Sequence, residues 1–254
     1  MEPRPTVSAL LPVYNGAATL ARALDSIFAG QSQPDEVLVI DDGSTDTTAH
    51  VLAAYAARQP ALRVVTMAAN GGLRAALNHG VAEARGDFIA RIDADDEWLA
   101  GHVAALRSQI ERTPGIKLAS SGYAEQRAGR RDPPRLPATF SAFIRDNFIA
   151  HSSVLIHRAS LLAIGGYQEA VFEDYATWLA LVDAPADYAP IGEATVVIHI
   201  LKGSLSRMGR GQSLRLRYQL QRVAWRKYRR FLSLPERFYL AAFLAACRLR
   251  TLIA

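Results

Sequence analysis

Short apolar runs alternate with helix-like stretches along the first 120 residues. The apolar runs, each short enough for a buried strand, are Val7–Val13, Val37–Ile40, Arg63–Met67, Phe88–Ile92 and Ile116–Ser120. The stretches with apolar residues at helical spacing are about Thr19–Phe28, Thr47–Ala57, Leu73–Ala84 and Leu99–Arg112. Continuous apolar strands separated by helices are typical of a parallel sheet covered on both faces. The pattern therefore predicts an α/β fold.

The pattern changes after residue 121. The segment Gly122–Pro137 is rich in Arg, Gly and Pro, which predicts a mobile loop. Residues 148–200 read as a mixed half, with strands near Ser153–His157 and Ala194–Ile200 and a helix near Asp174–Val182 between them. From about Ser213 the spacing predicts two basic amphipathic helices, interrupted at residues 233–235.

Charge divides the chain into an acidic body and a basic tail. The net charge is +5. Residues 1–200 hold 16 Lys and Arg against 23 Asp and Glu, whereas residues 201–254 hold 13 against the single acid Glu236. An anionic partner for the tail is therefore one hypothesis to consider.

Several classes of protein are disfavoured. Half of the residues are apolar, which excludes disorder as the main state. Cys247 is the only cysteine, so we expect no intrachain disulfide and a reducing compartment. We see no secretory signal and no apolar stretch near the 18 residues needed to span a bilayer. The phosphate-loop, dinucleotide, zinc-protease and serine-hydrolase motifs are also missing.

Two groups of acids follow predicted strands. Asp41 and Asp42 come after the second strand, and Asp93, Asp95 and Asp96 after the fourth. Ligands of open α/β sheets bind at the carboxyl ends of the strands. Grouped carboxylates raise one another's pKa unless a cation is present, so the pattern favours Mg²⁺ or Mn²⁺ with a diphosphate. The alternative for the first group is helix capping by its acids and by Asp46.

A third acidic group lies in the second half. Glu173-Asp174-Tyr175 heads a predicted helix, where a carboxylate is electrostatically favoured for structural reasons alone. The functional alternative is a general base facing an acceptor hydroxyl.

Together these segments resemble the family 2 glycosyltransferases, which are inverting enzymes with the GT-A fold. The resemblance covers about residues 6–206 and rests on an ordered set of motifs. These are Val7–Asn15 with its P-x-Y-N, the D-D-G-S-T-D turn of Glu36–Asp46, Asn70–Gly80, Asp93-Ala94-Asp95-Asp96, Asn147–His151, Gly165-Gly166-Tyr167 and Glu173-Asp174-Tyr175.

The resemblance implies a role for each matching position on the donor side. Pro12 and Tyr14 would line the nucleotide pocket, and Asp42 would hold the base or ribose. Asp93 would touch the ribose. Asp95 would bind the metal at the diphosphate, with Asp96 close by.

The resemblance also implies that Asp174 is the base that activates the acceptor. A single base without a second nucleophile predicts inversion at the anomeric carbon.

The sequence departs from the family pattern near its end. Family members often carry a histidine just before the segment matching Lys202–Ser206, but Leu201 stands there. His199 faces the same way on a strand and is a candidate metal ligand, or else a histidine with ordinary hydrogen bonds. The interval from Gly166 to Asp174 is also short, and His151 has either a ligand-contacting or a structural polar role.

The basic tail has two interpretations. Its arginines and apolar residues alternate through Arg215, Arg217, Arg222, Arg226, Lys227, Arg229 and Arg230 and through Leu214, Leu216, Leu220, Val223, Trp225 and Phe231. In one interpretation the apolar faces pack on the domain. In the other, arginines contact anionic headgroups while Trp225, Phe238 and Tyr239 lie at the membrane interface. No nucleic-acid-binding module accompanies the charge.

The expected protein is thus a cytoplasmic enzyme, in one version peripheral on the inner face of a membrane. Residues 1–120 form the nucleotide-sugar half of one GT-A domain, residues 121–206 the acceptor half, and residues 207–254 a helical tail. The expected activity moves a sugar from a nucleotide-diphospho-sugar, most simply a UDP-sugar, to a saccharide or lipid-linked saccharide. The alternatives are a degenerate GT-A module that binds nucleotide-sugar or acts as a membrane scaffold, and a nucleotidyltransferase. Oligomeric state is left open.

Overall fold

The computed structural model describes residues 4–30, 32–128, 130–135, 139–145, 147–168, 172–201 and 210–253. The strands in this part of the chain are β1 (Val7–Val13), β2 (Glu36–Asp41), β3 (Leu62–Thr66), β4 (Phe88–Arg91), β5 (Glu97–Trp98), β6 (Leu118–Arg127), β7 (Arg130–Arg131), β8 (Val154–His157) and β9 (Tyr188–His199). The helices are α1 (Leu20–Phe28), α2 (Thr48–Ala56), α3 (Leu73–Glu83), α4 (His102–Arg112), α5 (Phe140–Arg145), α6 (Arg158–Ala163), α7 (Glu173–Leu181), α8 (Arg210–Tyr228) and α9 (Leu234–Ile253).

The strands form one mixed sheet. Its order is β3-β2-β1-β4-β8-β6-β9-β5, with β7 paired to β6. The first four strands in this order are parallel, as their apolar sequences predict. Strand β8 is antiparallel to both β4 and β6, while β6 and β9 run parallel. The carboxyl ends of β1, β2 and β4 therefore meet at one edge.

The sheet is covered on both faces, and β1 shows why. All seven β1 residues are buried. Leu10 packs in a core with helices α3, α7, α8 and α9, whereas its neighbours Ala9 and Leu11 face the opposite core with α1, α2 and α4. Alternate residues of a strand point to opposite faces, so a strand buried on both sides must be apolar throughout. The expected α/β fold with a C-terminal helical segment is confirmed.

The C-terminal helices pack on the body of the molecule. Leu220, Ala224 and Tyr228 of α8 and Leu240 of α9 are buried in the same core as Trp178 of α7. Trp225 is partly buried against that core, while Phe238 and Tyr239 are exposed. The packing interpretation thus describes α8 and one side of α9. The side chains of residues 210–217 lie outside the described part of the structure.

One local prediction was wrong, and one helix begins later than predicted. The expected mobile loop Gly122–Pro137 contains the end of β6, then β7, and an antiparallel bridge between Tyr123 and Arg135. Residues 129 and 136–138 of that loop lie outside the described residues. The helix expected from Leu99 begins at His102, because Glu97 and Trp98 pair with β9 as β5.

Within the described ranges, no helix combines the length and apolar character needed to cross a bilayer.

Candidate active site

Asp42 fixes the loop after β3 to the end of β2. Its carboxylate accepts the backbone N–H of Gly71 at Oδ1 (2.7 Å) and that of Gly72 at Oδ2 (2.8 Å). Asp41 accepts the backbone N–H of Ser44 (3.0 Å), and both aspartates are buried. Asp42 therefore does not cap α2, and each of its oxygens keeps a second lone pair for a ligand.

The loop after β1 is tied to the turn after β2. Asn15 has φ +50°, and its Oδ1 accepts the backbone N–H groups of Thr45 (2.8 Å) and Asp46 (3.2 Å). Asp46 in turn accepts the N–H of Thr48 (2.9 Å), so this acid satisfies one backbone donor at the start of α2, although the N-cap residue itself is Thr47.

These contacts set the positions of Pro12 and Tyr14. Pro12 is buried within β1, and Tyr14 is 49% exposed at its end. The backbone N–H of Asp42 donates to Val13 O (2.8 Å), so Tyr14 follows a residue bonded directly to Asp42. The structure thus brings these predicted donor-side residues to one edge of the sheet.

Asp93, Asp95 and Asp96 come together after β4. One carboxylate oxygen of each lies within 4.8 Å of the others. The Ser152 hydroxyl donates to Asp96 Oδ2 (2.5 Å) and accepts the Asp93 N–H (2.9 Å). Asp96 is almost completely buried, while the Asp93 side chain is 35% exposed. We name these three residues the acidic cluster.

Arg91, at the end of β4, supplies a buried positive charge beside the acidic cluster. Its side chain is completely buried, and its guanidinium pairs with both carboxylate oxygens of Asp93. Burial alone raises the pKa of the Asp93 carboxyl, but Arg91 outweighs it, so the pKa of Asp93 is lowered.

The other two carboxyls of the acidic cluster behave in the opposite way. Burial, and then the neighbouring Asp93, raise the pKa of Asp95 and, more strongly, that of Asp96. A divalent cation would remove the cost of ionising both. Oxygen donors at this spacing suit a hard ion such as Mg²⁺ or Mn²⁺, so the donor set fits the expected metal.

His199 touches the acidic cluster through its backbone. Its N–H donates to Asp96 Oδ1 (3.0 Å), while its imidazole Nε2 lies 3.4 Å from Glu97 Oε2. Its role as a metal ligand stays a prediction. Residues 202–206, which match the neighbouring family segment, lie outside the described residues.

Asp174 lies in the first turn of α7. Its Oδ2 accepts a hydrogen bond from Asn147 Nδ2 (2.7 Å), and its Oδ1 accepts the Tyr175 N–H (2.6 Å). Burial raises the pKa of the Asp174 carboxyl, although these two hydrogen bonds oppose the rise. The Asp174 carboxylate is thus a stronger base than that of an ordinary exposed aspartate, which suits a general base.

A group of rings connects Asp174's helix to the acidic cluster. His151, next to Ser152 in sequence, has Nε2 3.2 Å from the Tyr167 hydroxyl and Nδ1 3.9 Å from Glu173 Oε1. Its ring also meets Trp178 of α7 edge-on, with centroids 5.6 Å apart. Burial, and then Arg91, lower the pKa of His151 well below its usual value, which favours the neutral imidazole. Continuous contacts therefore run from the acidic cluster to α7.

Sequence reasoning missed two residues that organise this region, Arg91 and Ser152, which bind the acidic cluster. Asn78 of α3 stands in the Asn70–Gly80 motif without an assigned role, and it exchanges two hydrogen bonds with the backbone of Tyr167, both 2.8 Å. An arginine inside an apolar strand was the available signal for Arg91, because a buried charge requires a partner. No spacing pointed to Ser152.

The fold and this site define the class of protein. The structure resembles a mannosyltransferase from Pyrobaculum calidifontis in complex with GDP-Man and Mn²⁺ (TM-score 0.65, 22% identity, covering 96% of this chain and 70% of that one). It also resembles S. aureus TarS 1-349 in complex with UDP-GlcNAc (TM-score 0.65, 17% identity, 85% and 66%). These likenesses show the GT-A fold.

Residues 8–160 match the family described as glycosyl transferase family 2, and the chain belongs to that family. The putative glycosyltransferase EpsE of Bacillus subtilis is 37% identical over 187 residues, which are 70% of this chain and 67% of EpsE. The Escherichia coli UDP-Gal:alpha-D-GlcNAc-diphosphoundecaprenol beta-1,3-galactosyltransferase is 26% identical over 215 residues, 81% and 78% of the two chains. The chain spans 39% and 63% of two further curated relatives.

Proposed function

We propose that the chain is a metal-dependent inverting glycosyltransferase. It moves a sugar from a nucleotide-diphospho-sugar to a hydroxyl of a saccharide or lipid-linked saccharide. The observation that carries the proposal is the continuous set of contacts joining the acidic cluster, through Ser152 and His151, to the helix of Asp174.

On the donor side, Pro12 and Tyr14 line the nucleotide pocket, and Asp42 and Asp93 hold the base and ribose. Asp95, with Asp96 beside it, would bind Mn²⁺ or Mg²⁺, which when bound offsets the negative charge that builds up on the leaving diphosphate. His199, whose backbone contacts Asp96, is a further candidate ligand only if its imidazole turns from Glu97 toward the acidic cluster.

On the acceptor side, Asp174 takes the proton of the attacking hydroxyl. The acceptor oxygen forms a bond to the anomeric carbon while the bond from that carbon to the diphosphate oxygen breaks. The raised pKa of Asp174 supports this role, because a stronger base accepts the proton more readily. A single displacement inverts the anomeric configuration.

The names of similar proteins support the choice of substrates. The E. coli relative is named for UDP-Gal and a diphosphoundecaprenol-linked acceptor, and the S. aureus structure contains UDP-GlcNAc. We infer that the donor is a UDP-sugar. A lipid-linked acceptor would place the reaction on the inner face of a membrane.

Replacing Asp174 by Asn tests the proposal directly. We expect Asp174→Asn to lose about 100- to 10,000-fold in transfer rate, since an amide cannot accept the proton. The binding of nucleoside diphosphate with Mn²⁺, measured by calorimetry, should persist.

The matched variant Asp95→Ala should instead change the binding of the nucleotide. It should lose the dependence of nucleotide affinity on Mn²⁺, because a ligand of the cation is gone. Titrations that are the same with and without Mn²⁺ in the native chain would contradict the metal site. Unchanged transfer by Asp174→Asn would contradict Asp174 as the base. A native chain that binds nucleotide-sugar without transferring it would be only a nucleotide-sugar-binding module, and release of pyrophosphate would indicate nucleotidyl transfer.

A further inference from the structure

Helix α9 is apolar on two opposite sides. On one side Leu240 is completely buried and Phe243 and Leu244 pack against the core. The other side is exposed, and its residues at helical spacing are Leu234, Phe238, Ala241, Ala242 and Ala245. We name these five residues the α9 face.

The α9 face exposes large side chains to an unusual degree. Leu234 is 78% exposed and Phe238 is 82% exposed. A helix that is apolar all round is normally covered all round, and a contiguous exposed apolar face marks an interaction surface. The exposure of the α9 face therefore indicates an interaction surface.

Basic residues surround the α9 face. Arg229 and Arg230 are exposed in the turn that leads into α9, and Arg248 is exposed near its other end. The acid of this region, Glu236, accepts the N–H (2.8 Å) and hydroxyl (2.6 Å) of Ser233 at the start of α9. The partner must accordingly accept apolar side chains and positive charge side by side.

An anionic bilayer meets both requirements. Leu and Phe side chains enter the boundary between headgroups and acyl chains, and arginines contact the headgroup phosphates. A second copy would bring together two tails that each hold 13 basic residues and one acid, which repel each other. A nucleic acid would leave Leu234 and Phe238 in water.

Helices α8 and α9 form a helical hairpin that carries the α9 face. Residues at the end of α8 hydrogen-bond to α7, the helix that carries Asp174. Lys227 Nζ of α8 donates to Leu179 O (2.8 Å) at the end of α7. The Tyr228 hydroxyl reaches Leu179 O (3.0 Å) and Val182 O (2.6 Å). A surface bound by α9 is thereby held in a fixed relation to α7.

We propose that the α9 face lies on an anionic bilayer and holds the acceptor half of the enzyme at the membrane surface. The docking itself is independent of the activity. Only its use, to bring a lipid-linked acceptor to Asp174, rests on the proposed function.

Vesicle co-sedimentation of the full chain tests the docking. The native chain should bind vesicles containing phosphatidylglycerol, bind phosphatidylcholine vesicles weakly, and lose affinity at high salt as screening weakens the arginine contacts. The variant Leu234→Glu/Phe238→Glu should bind anionic vesicles at least about tenfold more weakly than the native chain. It replaces two membrane-inserting side chains by carboxylates, which the anionic headgroups repel.

Two further variants serve as controls. Leu162→Glu, at an exposed apolar residue of α6 (44% exposed), should bind as the native chain does. Phe238→Ser, which changes no charge, should lose part of the affinity while melting at the native temperature, since the side chain makes little contact in the fold.

Donor hydrolysis in solution separates this proposal from the proposed function. Leu234→Glu/Phe238→Glu should hydrolyse nucleotide-sugar as fast as the native chain. Equal vesicle binding by this variant and the native chain, or no binding by the native chain, would overturn the docking. A dimer in light scattering that the double substitution dissolves would assign the face to a second copy instead.

Discussion

Arg91 is a charge at a completely buried position, and the donor side of the site depends on it. Its guanidinium pairs with Asp93 of the acidic cluster. Arg22 also reaches the cluster, where it donates to the backbone O of Asp95 (2.6 Å). Burying a charge is costly unless a counter-charge is close, so Arg91 and the acidic cluster stabilise each other.

Mn²⁺ should therefore offset the loss of Arg91. We expect Arg91→Met to reduce the free energy of unfolding by about 3 kcal/mol in the presence of chelator, because the Asp93 carboxylate then lacks its counter-charge. Added Mn²⁺ should shrink this loss, measured by urea unfolding, since the ion supplies the missing charge.

Two control variants should respond to Mn²⁺ differently from Arg91→Met. Arg91→Lys keeps the charge and should respond to Mn²⁺ as the native chain does. Asp93→Asn removes a carboxylate from the acidic cluster, so added Mn²⁺ should widen its deficit. The same Mn²⁺ response in Arg91→Met and Asp93→Asn would refute this account.

The pKa of Asp174 should set the acid limb of the pH–rate profile. Since burial raises this pKa and the base works deprotonated, transfer should fall as pH drops through a value above that of an ordinary aspartate. The Asn147 amide stabilises the ionised carboxylate, so Asn147→Ala should move the acid limb to higher pH.

The Asn147→Ala measurement needs a profile of kcat/KM against pH. The control Ser160→Ala removes a hydroxyl of α6 that is hydrogen-bonded to His157 of β8, and it should leave the acid limb in place. An acid limb that moves to lower pH in Asn147→Ala would argue against Asp174 as the base.

At the scale of elements, α3 connects the two halves of the site. Gly80 lets α3 lie directly on β1, because a Cβ there would meet Leu10 Cδ1 at 2.3 Å. Two residues before Gly80, Asn78 hydrogen-bonds to the backbone of Tyr167, whose hydroxyl contacts His151. The structure thus explains why Asn78 and Gly80 stand at these positions of the motif, which from the sequence alone were only part of a family resemblance.

Gly166 tests this connection. Its φ is +74°, and a Cβ would lie 2.4 Å from Asn78 Oδ1. Gly115 has a similar φ of +81° with nothing within 4 Å of a Cβ. Gly115→Ala should therefore cost about 1–2 kcal/mol of backbone strain alone. Gly166→Ala should cost measurably more in urea unfolding, because Asn78 must also move; equal losses would show that the contact is unimportant.

Strands β1, β2 and β4 were predicted to within a few residues because both of their faces are buried, which makes their sequences continuously apolar. The hairpin of β6 and β7 was missed because its composition is polar. Glu125 pairs with Arg127 on the same strand and with Arg135 on the segment bridged to it, so the charges that suggested a loop neutralise one another within the sheet. The acids at the strand ends were predicted, whereas the Asp42–Gly71 and Arg91–Asp93 contacts depend on tertiary structure or on partners that spacing does not reveal.

At the scale of the molecule, the basic tail is also part of the core. Leu220, Ala224, Tyr228 and Leu240 close over α7 beside Trp178. Each large buried apolar side chain contributes about 2 kcal/mol. A chain shortened at residue 212 should accordingly melt well below the full chain in calorimetry, whether or not membranes are present. An unchanged melting temperature would mean that the tail is a separate appendage.

The anomeric configuration of the first product tests the central claim most directly. A nucleotide-sugar that raises the melting temperature in the presence of Mn²⁺ would be chosen as the donor, since binding stabilises the folded state. Proton NMR during the first turnovers then follows the sugar released to water or acceptor. The account predicts a product of inverted configuration, formed by the native chain and not by Asp174→Asn. A product that retains the donor's configuration would contradict single displacement assisted by Asp174.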